Sequence, residues 1–95
     1  MSNSPKFHKL LKEIGELHNR KNNDYATSED PFSNFRECER FGVPAWKGVL
    51  VRMSDKFCRI CNLADKPAKN EAIQDSFVDL AVYALICKIL YDEKN

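Results

Sequence analysis

The stretch that most constrains this chain is Glu71 to Tyr91, EAIQDSFVDLAVYALICKILY. Its pattern is helical, and from Phe77 to Leu90 it is apolar on nearly every side, broken only by Asp79 and Lys88. A helix that is hydrophobic all round belongs among other protein elements. A carboxylate in such a place is costly to keep ionised unless a cation, a metal or hydrogen bonds compensate it. Glu71, Asp75 and Asp79 stand four apart, so they form a slowly drifting acidic stripe along one side. The rest of the chain must supply what that stripe faces.

Ninety-five residues are enough for one domain with a modest core, so a single domain over 1–95 is expected. The formal net charge of +1 argues against a polybasic nucleic-acid binder and leaves acidic small molecules open as partners. The opening MSNSPKFHK has no apolar core and does not read as a signal peptide. The apolar run of the last helix is too short, and carries Asp79, for a membrane span. Four cysteines (Cys38, Cys58, Cys61, Cys87) without a secretion signal read as reduced, mostly buried thiols of a cytoplasmic protein.

Along the chain, Ser4-Pro5 is an N-cap and first-position pair. Phe7, Leu10, Leu11, Ile14 and Leu17 then recur at helical spacing, and the helix is expected to fray around Lys21-Asn22-Asn23. His8 and His18 stand apart from other ligand types and read as surface or core-edge residues. Asn22 to Ser33 is a long turn-rich loop. Asp30-Pro31 starts a short helix through Arg40, which Gly42 ends. Pro44 opens a third helix, Ala45 to Leu63, with Leu50, Met53, Phe57, Ile60 and Cys61 expected on its apolar side. Arg52, Asp55, Lys56, Arg59 and Asn62 gather on the other side. Asp65-Lys66-Pro67 is a short connection, Asn70 caps the final helix, and helices three and four should be antiparallel neighbours. No stretch reads as a strand. The expected class is all-α, a small bundle of about four helices.

Three groups of residues carry chemical interest, each with a plain structural alternative. Cys58 and Cys61 have CxxC spacing, but no second such pair or His pair completes a zinc site, and packing in or beside the core is the simpler reading. The charged side of the third helix is either a solvated face, with Asp55 and Arg59 as an i,i+4 pair, or a binding face. In the second case Asp55, Asp75 and Asp79 would share a divalent cation while Arg52, Lys56 and Arg59 meet phosphate oxygens. Asp79 is otherwise a buried carboxylate paired with an arginine or a tyrosine, without any metal, and Arg52 and Arg59 are obvious partners. Asp24, Tyr25, Phe32 and Phe35 are packing residues or an aromatic platform for a base.

Several runs together resemble a phage and bacterial family, the nucleotide modification associated domain 1 family. They are Lys21-Asn22-Asn23-Asp24-Tyr25, Phe32-Ser33-Asn34-Phe35, Arg52-Met53-Ser54-Asp55-Lys56 with Arg59, and Asp75-Ser76-Phe77-Val78-Asp79-Leu80-Ala81-Val82-Tyr83. That family looks related to the all-α NTP pyrophosphatases of the MazG-like and dimeric dUTPase-like kind. The resemblance implies a helical bundle assembled as a homo-oligomer, with Mg2+ at a carboxylate cluster, that hydrolyses a nucleoside triphosphate to the monophosphate and pyrophosphate. It places Asp55, Asp75 and Asp79 as catalytic and metal-side carboxylates, with Glu71 beside them at the metal. It places Arg52, Lys56 and Arg59 toward the phosphates, with Lys21, Asp24, Tyr25, Phe32, Asn34 and Phe35 around the nucleotide. Where the MazG-like pattern has a second carboxylate three residues on, this chain has Cys58. The alternative is a helical bundle that binds a nucleotide, or a protein, without turnover.

Overall fold

The computed structural model describes residues 4–25, 30–66 and 71–93, with the side chains of residues 21–25 and 71 outside the description. The chain is all-α, with no strand among the described residues. It divides into two compact units, 1–34 and 35–95.

The first unit is built on helix α1, Pro5–Tyr25. Ser4 caps it as its position before proline predicts: its Oγ accepts from the Phe7 N–H at 3.2 Å, and its carbonyl accepts from the His8 N–H at 3.2 Å. The helix runs on to Tyr25 instead of fraying at Lys21 to Asn23, so Asn22 to Tyr25, expected in a loop, are helical. Asp30 makes a local turn, its Oδ1 accepting from the Phe32 N–H at 3.0 Å and its carbonyl from the Ser33 N–H at 3.1 Å. Phe32 stacks on His18 with ring centroids 6.5 Å apart, which gives that histidine a packing role.

The continuous short helix expected from Asp30 to Arg40 is two 3-10 pieces, η1 (Ser33–Phe35) and η2 (Glu37–Phe41). Gly42 ends η2 at φ 80°, a conformation that strains any residue with a Cβ. There the Gly42 N–H donates to the Glu39 carbonyl and the Val43 N–H to the Cys38 carbonyl.

The second unit is organised by the packing of α2 (Ala45–Leu63) on α3 (Glu71–Glu93). Pro44 starts α2, its carbonyl accepting from Lys47 and Gly48 at 3.0 and 3.1 Å. The two helices are antiparallel. Trp46, at the start of α2, stands edge-on to Tyr91 at the end of α3 with centroids 5.0 Å apart, and its carbonyl accepts from the Cys87 thiol. Lys56, halfway along α2, meets Asp79 in the first half of α3. An Arg36 to Glu93 ion pair at 2.9 Å ties the end of α3 to the residue before η2.

The seam explains which side of each helix turns inward. On α3 it is Ser76, Asp79, Tyr83, Ile86 and Leu90, spaced alternately three and four apart, all buried or half-buried. On α2 it is Ala45, Val49, Met53, Lys56, Ile60 and Leu63. The expected apolar side of α2 is therefore corrected: Leu50, Phe57 and Cys61 are exposed, while Val49 and Lys56 face inward in their place. The inner face is set by what α3 offers, and α3 offers a carboxylate there.

Gly48 shows how closely η2 sits on α2. A Cβ at this position would lie 2.6 Å from the Cys38 sulfur, inside any normal contact. The Cys38 sulfur is within hydrogen-bonding reach of the Phe35 and Pro44 carbonyls at 3.7 and 3.8 Å, so moving it has a cost. Gly48→Ala is expected to destabilise by about 1 kcal/mol despite alanine's better helix propensity, because overpacking outweighs that gain. Adding Cys38→Ala should restore the loss, as read by urea denaturation of both variants.

Candidate functional site

The charged side of α2 forms the wall of an open concavity of about 330 Å³, lined by Arg52, Asp55, Lys56 and Arg59 with Tyr83 from α3. Positions 52, 55, 56 and 59 follow one another at one-, three- and four-residue spacing over about two turns on one side of a helix, which is why an ordinary α-helix brings them together. The sequence-based grouping of these four residues is what the fold presents.

Their individual settings differ. The Arg52 guanidinium carbon lies 4.7 Å from the centre of the Phe35 ring, and Phe35 meets Tyr83 edge-on at 6.0 Å. This stack fixes the Arg52 stem while leaving its N–H groups on an exposed residue. Lys56 Nζ lies 3.1 Å from Asp79 Oδ2, both side chains a little over one-quarter exposed (28% and 27%). Asp79 thus pairs with Lys56, a cation that the sequence reading, which looked to an arginine or a tyrosine, did not name. Arg59 and Asp55 are exposed, and no ion pair joins them among the described residues.

The other expected site residues lie as follows. Asp75 is exposed on α3 and lines none of the described concavities. Glu71 opens α3, and Lys21, Asp24 and Tyr25 close α1; the side chains of all four fall outside the described residues. Phe32 is on His18, and Phe35 is buried under Arg52. Asn34 Oδ1 is a buried acceptor with no hydrogen-bond partner, a costly arrangement. Among the described residues no three His, Cys, Asp or Glu side chains come close enough to hold a metal ion. Asp55, Asp75 and Asp79 therefore do not form a ready-made Mg2+ site, and Asp79 is engaged by Lys56.

Two features were not expected. The sequence gives Tyr83 no role beyond its place in a motif, and only the α2–α3 packing puts it in the concavity. The cysteines also divide differently from the expected buried set. All four are free; Cys38 and Cys87 are half-buried, and Cys58 and Cys61 are exposed. Burial pushes the Cys87 thiol up from its ordinary range, and its S–H donates to the Trp46 carbonyl at 3.4 Å, so it stays protonated. No helix among the described residues is long and apolar enough to cross a membrane. The chain matches no protein-family model, and no curated protein or solved structure matches it significantly.

Proposed function

We propose that the Arg52, Lys56 and Arg59 face binds the phosphates of a nucleotide. The observation that carries this reading is that three cations, with the Asp55 carboxylate and Tyr83, line one solvent-open concavity. Guanidinium forks suit phosphate oxygens, and Arg52 is already held in place by the Phe35 ring, so less side-chain freedom is lost on binding. Tyr83 supplies an aromatic edge and a hydroxyl beside the phosphate-facing groups. The reaction that goes with this site, by the family resemblance, is hydrolysis of a nucleoside triphosphate to the monophosphate and pyrophosphate.

Mg2+ enters the reading through the resemblance, with Asp55, Asp75, Asp79 and Glu71 as its carboxylates. The described side chains do not form a preassembled site for the ion. What the chain's own residues do is neutralise and orient phosphate oxygens. The second reading, nucleotide binding without turnover, is favoured by the Lys56 to Asp79 ion pair, which engages the carboxylate that the catalytic reading needs. A homo-oligomer is part of the same proposal. Phe77, Leu85 and Ile89 leave much apolar surface exposed on α3, which a second copy would cover.

Calorimetric titration of the full chain with a panel of nucleoside triphosphates, with and without Mg2+, tests the binding. Arg52→Ala and Arg59→Ala are each expected to weaken it about tenfold or more, the scale of a hydrogen bond to a charged group. Unchanged affinity in the double variant, or no binding by any nucleotide, sinks the proposal. Pyrophosphate release by the wild type separates the catalytic reading from the second one.

A further inference from the structure

Cys58 and Cys61 stand on the outward side of α2, three residues apart and both exposed. In a helix such a pair has its Cβ atoms about 5–6 Å apart, on adjoining sides of one turn. Two thiolate ligands on one ion, at metal–sulfur bonds of roughly 2.3 Å, place the sulfurs no more than about 4.6 Å apart, which side-chain rotation on adjacent turns can satisfy. The Cys58 sulfur already accepts a hydrogen bond from the Asn62 amide at 3.7 Å, so a donor is in place to support negative charge on it. Access is open: Cys58 lines a concavity of about 450 Å³ with Asp55, Arg59, Asn62, Leu63 and Ala72, and Cys61, which is not part of that lining, is itself exposed.

We infer that Cys58 and Cys61 form a two-thiolate site for a soft monovalent cation of the Cu(I) class. The number of ligands decides the metal. Zinc takes four ligands in structural sites and three protein ligands in catalytic ones, whereas this pair offers two sulfurs. Thiolates select soft ions, and a closed-shell monovalent ion is content with two sulfur ligands. Each bound Cu(I) replaces two thiol protons, which leave to solvent, and no electron is transferred. The other two cysteines are unsuited: Cys38 is packed against Gly48, and Cys87 donates to a carbonyl on the α2–α3 side.

The test is anaerobic titration of the reduced full chain with Cu(I) against a chromophoric Cu(I) chelator, with X-ray absorption counting the sulfurs. The expected result is one Cu(I) per chain with two sulfur ligands. Cys58→Ser and Cys61→Ser should each lose the binding while keeping the wild-type circular dichroism, since both side chains are exposed. Cys87→Ser should keep the binding. Retained binding in either exposed-site variant overturns the inference. So does half an ion per chain with four sulfurs, which would mean a site shared between two copies.

Discussion

Ile86→Ala is expected to lower the unfolding free energy by about 2–5 kcal/mol, the range for truncating a buried aliphatic side chain. Ile86 is only 3% exposed and sits on the seam face of α3 between Tyr83 and Leu90. Small domains hold only about 5–15 kcal/mol in total, so this one change should remove a large share of the stability. Thermal and urea denaturation measure it. The control is Ile89→Ala, three positions on and exposed, which should cost far less in the monomeric chain. Equal losses at the two positions would mean that α3 does not turn the described face inward.

The second large effect concerns Asp79. Asp79→Asn leaves the Lys56 ammonium without its carboxylate at a half-buried position. Exposed pairs contribute about 0.2–1 kcal/mol, whereas breaking a buried one costs about 3–5 kcal/mol. At these intermediate exposures a loss of about 2 kcal/mol is expected. Replacing both residues together, with Lys56→Met and Asp79→Leu, should recover the share of that loss that comes from the orphaned Lys56 charge. A cycle in which the two single changes simply add would show that the pair is not coupled. The same Asp79→Asn variant also bears on function. If Asp79 acts as a metal-side carboxylate, any Mg2+-dependent nucleotide binding should fall much further than the stability loss accounts for. If it is a structural partner of Lys56, phosphate affinity should hold or rise as Lys56 is released.

Both predictions rest on the α2–α3 seam, which local sequence signals mark only in part. The start of α1 at Ser4-Pro5, the turn at Gly42 and the limits of α2 from Pro44 to Leu63 were legible because each is set by neighbouring residues. Caps, a left-handed glycine and a proline's missing N–H act within a few positions. Grouping Arg52, Asp55, Lys56 and Arg59 was legible for the same reason, since helical spacing alone puts them on one side. The expected helix from Asp30 to Arg40 broke into two 3-10 pieces, which local signals do not distinguish well from one short helix.

What the sequence by itself determined is that this chain is helical, and that one helix carries a cluster of cations and another a carboxylate amid apolar residues. It did not determine which way those helices turn. The apolar residues of α3 surround it, so no side is marked as inward, and the apolar side of α2 read from spacing differs from the seam that forms. Only the tertiary structure decided that Lys56 turns toward Asp79, that Tyr83 closes the basic concavity, and that Cys58 and Cys61 face outward. The physical reason is that orientation in a helix pair is a property of both partners. One rotation of α2 against α3 buries Val49, Ile86 and Leu90 and at the same time brings Lys56 to Asp79.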